Sequence, residues 1–450
     1  MNFDLFDSET NYNTTIFAES GSGKSYLANE IIRSYLSTND KIWAIDAGES
    51  YKKLSNSFKG NFIAFNENSE MSMNPFTMID DQDPNAFSEA VTMLSGLIVA
   101  MAFSNDKVSD LQYKVIEEII GKVWFEKGCS SKIDDVADLL KKDDDRRIRD
   151  VGRQLFSFTA KGQYGKYFDK PHNVTFSGDF NVLELDGLSE NPDLQAVVLY
   201  ILIVQIQQAM YHDFKIDRNI KRIVLIDEAW DLLGNSPAVT VFIERGFRRF
   251  RKYNGAGVVI SQSPFDMQST SAGRAIMENA ANSLILKQKD STITSAEKDN
   301  LLSVPDAGYR LLKKVKTVKG HYSEIFFNCQ DSGMGIGRLI VDPNRMLMYS
   351  TSAKDNALLD KYANLGYGLN DSLIKACEER RLIRYPLERP NFLDQNVKKM
   401  IKQNNITAIF GCTKLDEKNL FKAIEEGNLL DDDGEILDKK NELDKADFVA

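Results

Sequence analysis

The chain has 450 residues, of which 42% are hydrophobic and 27% charged, a composition typical of a globular protein with two or three domains. Its 66 acidic residues outnumber its 56 lysines and arginines, and the net charge of -10 argues against nucleic-acid binding over the whole surface, although not against a local basic pore. The four cysteines and three histidines lack metal-ligand spacing, which argues against a disulfide framework or a zinc site and fits a reducing compartment.

A glycine-rich loop follows the first apolar run and precedes the first helical pattern, which is the context of a phosphate-binding P-loop. Gly21 and Gly23 would let several backbone N–H groups point into one concavity. Lys24 would reach the β- and γ-phosphates, and Ser25 would ligate Mg²⁺. Ala18 replaces the consensus glycine, and a surface turn is the alternative interpretation. The predicted nucleotide-binding residues are Glu19, Ser20, Gly21, Ser22, Gly23, Lys24 and Ser25.

Apolar runs of strand length alternate with helical patterns along most of the chain, which predicts an α/β fold with a mostly parallel sheet covered by helices. The predicted strands are residues 13–18, 41–45, 61–65, 181–185, 222–226, 255–260 and 283–286. The segment from Asp46 to Ser50 follows the second strand, at the ligand-facing edge of such a sheet. A contact with substrate and a cap on the next helix by Asp46 or Ser50 are the two interpretations of this segment.

Residues 84–142 carry only helical periodicity, which predicts an all-helical insertion; helices that flank the sheet are the alternative. The most apolar stretches, 93–103 and 196–210, are too short or are interrupted by glutamines, so no segment is predicted to cross a membrane. The predicted domain boundaries are 1–80 and 151–350 for the two parts of a P-loop core, 81–150 for the insertion and 351–450 for a C-terminal extension.

The C-terminal part of the chain has a different pattern. Short strands are predicted at 325–327, 336–341 and 345–349, with a turn at Asp342-Pro343-Asn344 between the last two. From residue 392 onward the chain is polar and charge-rich, which predicts a small satellite module or a partly disordered tail.

Two predicted strands end in groups that suit phosphate chemistry. The strand at 222–226 is followed by Asp227, which would hold Mg²⁺, and by Glu228, which would polarise an attacking water. The alternative is a buried strand that ends in two solvated acids. The next strand is followed by Gln262, which in RecA-like sheets would lie beside the γ-phosphate as a sensor, or would be an ordinary polar strand end.

A basic segment, residues 244–253, lies between these two strands. Arg248 and Arg251 share one helix face, and Arg245 and Arg249 share another. One interpretation is an arginine finger that enters the active site of a neighbouring subunit. A pore that contacts polyanions and a solvated basic helix are the alternatives.

Taken together, these segments resemble the TraC-like conjugative ATPases of type IV secretion systems, over a similarity that runs from about residue 2 to about residue 350. The segments that carry the resemblance are Asp4-Leu5-Phe6, Asn11-Tyr12-Asn13, the P-loop, Asp46-Ala47-Gly48-Glu49-Ser50-Tyr51, Asn74-Pro75-Phe76, Tyr164-Gly165-Lys166-Tyr167-Phe168-Asp169, Val182-Leu183-Glu184-Leu185-Asp186-Gly187-Leu188, Ile226-Asp227-Glu228-Ala229-Trp230 and Arg251-Lys252-Tyr253-Asn254-Gly255.

The resemblance implies a RecA-like P-loop ATPase of the HerA/FtsK type with a helical insertion, using ATP and Mg²⁺. The roles it implies are phosphate and Mg²⁺ binding for Lys24 and Ser25, a Walker B pair in Asp227 and Glu228, a sensor in Gln262, and a finger in Arg248 or Arg251.

The resemblance also implies a cytoplasmic motor, hexameric or, as an isolated fragment, monomeric. It would dock at the inner membrane through secretion-complex proteins, without inserting into the bilayer, and energise pilus assembly and conjugative transfer. DNA contact is compatible with this interpretation but not required by it. Members normally carry a large domain before the P-loop, so the chain is expected to be a C-terminal motor half.

Two other functional classes fit the same motifs. A HerA/FtsK-like DNA translocase or coupling protein would show ATPase activity that DNA stimulates and salt suppresses. A nucleotide-gated scaffold with vestigial hydrolysis is the non-catalytic alternative, for which Ala18 is the only hint.

Overall fold

The computed structural model describes residues 3–65, 70–79, 86–103, 108–228, 246–331 and 333–380, and the backbone of two short segments near the C-terminus. The chain divides into two compact units. The larger unit comprises Leu5–Val315 and Phe326–Gly335, and the smaller comprises Met1–Asp4, Lys316–Ile325 and Ile336–Ala450.

Strands and helices alternate through the larger unit, as the sequence predicts. The strands of both units, in chain order, are β1 (Thr14–Phe17), β2 (Lys41–Asp46), β3 (Asn61–Ala64), β4 (Phe180–Glu184), β5 (Arg222–Asp227), β6 (Gly255–Ser261), β7 (Asn282–Ile285), β8 (Thr317–Val318), β9 (Tyr322–Cys329), β10 (Gly333–Leu339), β11 (Leu429–Leu430) and β12 (Ile436–Leu437). The helices of both units are α1 (Lys24–Leu36), α2 (Lys52–Ser57), α3 (Ala86–Ala102), α4 (Asp110–Lys127), α5 (Ile133–Leu140), α6 (Arg146–Gln154), α7 (Pro192–Ile216), α8 (Pro264–Ser269), α9 (Ser271–Glu278), α10 (Asp290–Lys298), α11 (Asp306–Leu312), α12 (Pro343–Tyr349), α13 (Ala353–Asn364) and α14 (Leu369–Glu379).

Seven strands of the larger unit form a parallel sheet in the order β7-β1-β6-β5-β2-β4-β3. At its outer edge, residues 326–329 of β9 pair antiparallel with β7. The central strands are apolar runs that are buried along their whole length, which is what a sheet covered on both faces requires. All seven strands predicted for this sheet are confirmed to within one or two residues.

This topology determines where a ligand can bind. The strands are parallel, so the carboxyl ends of β1, β2, β4, β5 and β6 lie along the same edge of the sheet. The loops that follow those ends carry the glycine-rich loop and most of the candidate acids.

The stretch between β3 and β4 contains α3, α4, α5 and α6, and the structure describes no strand within residues 86–103 and 108–154. The prediction that this stretch is helical is confirmed for those residues. Helix α3 packs against α4 and α7 through buried aliphatic side chains that include Leu97 and Ile120. The assignment of this stretch as an insertion, with its domain boundaries, remains a proposal.

Helix α7 is long and apolar enough to cross a membrane by length and composition. However, 72% of its most apolar window is buried inside the protein. Buried residues such as Leu199 and Ile203 belong to the core of the larger unit. The helix therefore has the burial of a core helix, and the prediction that no segment crosses a membrane stays a prediction.

In the smaller unit, α12, α13 and α14 enclose a cluster formed by Leu347, Leu359, Leu373, Ala376 and Cys377. The strand predicted at 325–327 lies within β9, which runs through both units, and the strand predicted at 336–341 is confirmed for residues 336–339, where β10 ends. The predicted tail from residue 392 lies outside the described residues, apart from the antiparallel pair β11–β12.

The strand predicted at 345–349 is wrong, because these residues belong to helix α12. Asp342 Oδ1 accepts hydrogen bonds from the backbone N–H groups of Asn344, at 2.9 Å, and Arg345, at 3.1 Å. Pro343 occupies the first helical position, where its fixed φ and missing N–H are tolerated. The Asp-Pro-Asn sequence is therefore a helix N-cap and not a turn between strands.

Candidate functional site

The loop between β1 and α1 turns sharply around two glycines. Gly21 has φ +78° and Gly23 has φ 106°, in the left-handed region that glycine adopts without steric cost. The Ser22 N–H donates to Glu19 O at 3.0 Å and closes the turn, while Ala18 N–H donates to Ser261 O at 2.9 Å. Ala18 is thus accommodated as a continuation of the β1–β6 ladder.

The loop leads directly into the first turn of α1, a helix of 13 residues. Among the residues that the structure describes, no side chain caps this helix, and its first turn contains no acidic residue. The positive end of its dipole therefore favours an anion at this position. The arrangement suits phosphate groups held against the loop.

Lys24, the first residue of α1, meets the two acids at the end of β5 although about two hundred residues separate them. Its Nζ lies 3.2 Å from Asp227 Oδ1 and donates a hydrogen bond to Glu228 Oε1. Gln262 Nε2, after β6, donates to the same Glu228 oxygen at 3.4 Å. Four of the residues predicted to carry catalysis or bind metal therefore converge on one point of the sheet edge.

The backbone of Glu228 is held in an uncommon conformation. Its φ of 55° lies in the left-handed region, which is sparsely populated for residues with a side chain. Its N–H donates to Ile260 O at 3.3 Å, so the strand pairing continues through this residue. Its side chain is 39% exposed whereas that of Asp227 is 2% exposed. The turn thus directs one carboxylate into the protein and the next toward solvent.

Burial and the neighbouring charges shift the pKa values of Lys24 and Asp227 in opposite directions. Burial lowers the pKa of Lys24, but the attraction of Asp227 and the hydrogen bond to Glu228 outweigh it, and the pKa is raised. The ammonium therefore stays charged. Burial raises the pKa of Asp227, and the nearby Lys24 charge and the Tyr51 hydrogen bond offset this only in part.

Behind Asp227 lies a second row of polar groups that the sequence patterns did not identify as part of the site. Tyr51 OH donates to Asp227 Oδ2 at 2.8 Å. Burial raises the pKa of Tyr51 well above its ordinary value, with Asp227 adding to the shift, so the phenol stays a donor. Glu184, at the end of β4, accepts hydrogen bonds from the N–H groups of Gly48, at 3.1 Å, and Glu49, at 2.6 Å.

Asp46 ends β2 and closes the turn that follows. Its Oδ2 accepts a hydrogen bond from Ser50 N–H at 2.5 Å. Helix α2 starts after Tyr51, so this contact orders the turn and does not cap the helix from Asp46 or Ser50. Burial raises the pKa of Asp46 to about 8, and the carboxylates of Asp227 and Glu184 add to the shift. The sequence places Asp46 at the predicted ligand-facing edge, but it gives no signal for the contacts of Tyr51 and Glu184.

The two candidate finger arginines lie elsewhere. Arg248 and Arg251 are exposed and precede β6, so they lie at the amino ends of the strands. Arg251 Nη2 donates to Glu9 O at 2.6 Å, just before β1. Strand β6 has seven residues and spans about 20 Å, which keeps both arginines away from Lys24 of their own chain. Arg245 lies outside the described residues.

The residues at the sheet edge fit a magnesium-bound nucleotide. Asp227 Oδ1 is buried and accepts no hydrogen bond of good geometry within the described part of the chain. Among the described residues, no group of three or more His, Cys, Asp or Glu could hold a metal alone. A cation here would rely on Asp227, the Ser25 hydroxyl and phosphate oxygens, which are the hard oxygen ligands that Mg²⁺ prefers.

Comparison with known proteins agrees with this architecture. Residues 6–380 match the model of the TraG P-loop domain family. The chain is 30% identical over 385 residues to protein TraC of Escherichia coli (strain K12), an alignment that covers 81% of this chain and 42% of TraC. The chain therefore spans less than half the length of this relative.

The structure of VirB4 of Thermoanaerobacter pseudethanolicus superposes with a TM-score of 0.61 at 19% identity. The superposition covers 75% of this chain and 91% of that chain, and it confirms the predicted RecA-like P-loop fold. The predicted resemblance to TraC-like proteins is confirmed by the sequence match. The chain belongs to the TraG P-loop domain family.

Proposed function

We propose that this chain is the ATP-hydrolysing motor half of a type IV secretion machine that energises pilus biogenesis and conjugative transfer. The observation that carries the proposal is the convergence of Lys24, Asp227, Glu228 and Gln262 beside an uncapped helix N-terminus. The similarity to TraC supports the cellular role, and the P-loop family supports the chemistry.

In this mechanism the glycine-rich loop and Lys24 bind the β- and γ-phosphates of ATP, and Lys24 stabilises the charge that develops on the γ-phosphate. Ser25 and Asp227 would hold Mg²⁺, which would neutralise phosphate charge when bound. Glu228, more exposed than Asp227, orients the attacking water and accepts its proton. Gln262 holds Glu228 in place through the 3.4 Å hydrogen bond and senses the γ-phosphate.

A complete active site requires a second copy of the chain in this proposal. Arg248 and Arg251 lie at the amino ends of the strands and would enter the site of a neighbouring subunit. A closed ring, such as a hexamer, would place each arginine pair beside the next nucleotide. Docking to secretion-complex proteins at the inner membrane and a cytoplasmic location belong to the same proposal.

The proposal is tested by measuring phosphate release by the full chain, its Glu228→Gln variant and, as a control, Glu126→Gln on the exposed surface of α4. We expect Glu228→Gln to bind ATP with Mg²⁺ and to hydrolyse it at least about a hundredfold more slowly. The control should match the parent. Wild-type turnover by Glu228→Gln would refute the assignment of the base, and absence of turnover in the parent would favour a nucleotide-gated scaffold.

The role in secretion is separated from DNA translocation by the same assay with double-stranded DNA. A motor that acts on secretion proteins should show a rate that DNA leaves unchanged. Stimulation by DNA that declines steeply with salt would favour a translocase or coupling protein. Mass measurement with and without ATP and Mg²⁺ reports whether rings form.

A further inference from the structure

Tyr51 is a fully buried tyrosine whose hydroxyl reaches the candidate metal ligand. It is 0% exposed, and its OH donates to Asp227 Oδ2 at 2.8 Å. The other oxygen, Oδ1, lies 3.2 Å from Lys24 Nζ. The two carboxylate oxygens therefore have different partners on different sides, which limits rotation of the carboxylate about its χ2 torsion.

The backbone that carries Tyr51 is itself held in place. The preceding turn contains two residues with positive φ, Gly48 at +140° and Glu49 at 55°. The N–H groups of both donate to the Glu184 carboxylate, which comes from the neighbouring strand β4. The turn is closed by the bond from Ser50 N–H to Asp46 Oδ2 at 2.5 Å. Tyr51 thus extends from a turn that is anchored on two strands.

The same turn is bound to the helix of the glycine-rich loop. Asn29, on α1, is 1% exposed, and its Nδ2 donates to Ser25 O at 2.8 Å and to Ser50 O at 3.4 Å. Ser25 and Asp227 are the two candidate protein ligands of Mg²⁺. A chain of contacts through Asn29, Ser50 and Tyr51 therefore joins one candidate ligand to the other from behind.

We propose that Tyr51 is a positioning residue that orients the Asp227 carboxylate toward Mg²⁺. Partners behind a metal ligand fix its orientation, and their loss typically weakens metal binding about tenfold or more. The proposal rests on the proposed function for the identity of the metal-nucleotide complex, although it concerns binding and not hydrolysis. Tyr51 would touch neither the nucleotide nor the attacking water.

The test compares the full chain with Tyr51→Phe and with the control Tyr200→Phe. Tyr200 is also buried, at 2% exposure, and its OH donates to Met93 O at 3.1 Å, so the control removes one buried hydroxyl away from the site. For each protein, calorimetry gives the affinity for ADP without metal and the affinity for Mg²⁺ at saturating ADP.

We expect Tyr51→Phe to bind Mg²⁺ about tenfold more weakly while its affinity for metal-free ADP stays within about twofold of the parent. Tyr200→Phe should match the parent in both measurements. An affinity for Mg²⁺ within about twofold of the parent would overturn the proposal. So would an equal loss of ADP and Mg²⁺ affinity, because that is the signature of general damage to packing.

Two further outcomes are distinguishable. If Tyr51→Phe does not fold, the same measurements are made on Asp46→Asn and on Asp46→Asn/Tyr51→Phe. The Asp46→Asn background removes one buried carboxyl that interacts with Asp227, while its amide oxygen can still accept the hydrogen bond from Ser50 N–H. If the parent binds Mg²⁺ and ADP without hydrolysing ATP, the proposed function fails and the role of Tyr51 is still decided by the binding data. A parent that binds neither overturns both.

Discussion

The ammonium of Lys24 lies 3.2 Å from the Oδ1 atom of Asp227, which joins the start of α1 to the end of β5. The lysine side chain is 16% exposed and the aspartate 2%, so this ion pair is largely shielded from water. Water screens the attraction in such a pair less than at the surface, and removal of one partner leaves a costly uncompensated charge. The same pair also lies where a metal-bound phosphate is proposed to sit.

Lys24→Ala should therefore have two consequences. Nucleotide affinity should fall at least about tenfold and turnover by more than about a hundredfold, because the charge on the phosphates loses its direct partner. The Mg²⁺-free protein should also lose stability, because Asp227 remains buried without its cation. Binding of a fluorescent ATP analogue and chemical denaturation measure the two effects. Lys122→Ala, on the exposed face of α4, is the control that should change neither.

Whether Arg248 and Arg251 act in a neighbouring subunit can be decided by mixing two inactive variants of the chain. A double Arg248→Ala/Arg251→Ala chain keeps its own loop and acids, whereas a Lys24→Ala chain keeps its arginines. If the arginines act in a neighbouring subunit, a mixture of the two inactive chains should release phosphate at a rate several-fold above either chain alone.

The control for this experiment is Arg153→Ala, which removes an exposed arginine from α6. That variant should keep the activity of the parent. A mixture that is only as active as the sum of its parts would argue against transfer between subunits. Full activity of the double arginine variant would show that the basic segment is a solvated surface.

The fold was predictable where burial alone decides the structure. The seven strands of the parallel sheet are apolar runs such as Ile223 to Ile226, and a run of that kind between helical patterns has few alternatives. The strand predicted at 345–349 failed because the short apolar run Met346 to Tyr349 suits a helix or a strand equally well. The Asp342 cap decided the outcome, and its effect depends on backbone geometry that periodicity does not report.

The residues proposed to contact phosphate, Mg²⁺ or water were predictable from the sequence, whereas the polar residues behind Asp227 were not. Lys24, Asp227 and Glu228 stand at fixed places in motifs whose residue types follow from phosphate chemistry. Tyr51 and Glu184 act through contacts between different strands, and a tyrosine after a turn has no spacing that indicates such a contact. The topology places β2 between β4 and β5, which brings the turn before Tyr51 beside Glu184 and Tyr51 itself beside Asp227.

The cap on α12 yields a prediction for the smaller unit. Asp342→Ala removes the acceptor for two N–H groups and should lower the free energy of unfolding by about 1 kcal/mol. Asp342→Asn keeps an acceptor oxygen and should retain most of that stability, although it loses the ion pair with Arg345. Chemical denaturation of the three proteins measures the difference. Equal loss in both variants would show that the charge matters more than the cap.

The raised pKa of Asp46 predicts how stability depends on pH. In the unfolded chain this carboxyl loses its proton near its ordinary pKa of 3.8, whereas in the folded protein burial, with Asp227 and Glu184, raises the pKa to about 8. Between these values the folded state binds the proton and the unfolded state does not. The contribution of Asp46 to the free energy of unfolding therefore falls as the pH rises from its ordinary pKa of 3.8 to about 8, and it does not change further at higher pH.

The side chain of Asp46→Asn cannot titrate. When the pH is raised from 5 to 8, the free energy of unfolding should therefore fall less in this variant than in the parent, by a difference on the order of 3 kcal/mol. Denaturation of both proteins in Mg²⁺-free buffer at several pH values measures this difference. Asp144→Asn, at an exposed position before α6, should follow the parent at every pH. Parallel curves for the parent and Asp46→Asn would mean that Asp46 is ionised in the folded protein at neutral pH. The turn between β2 and Tyr51 would then be held by a charged carboxylate and not by a neutral one.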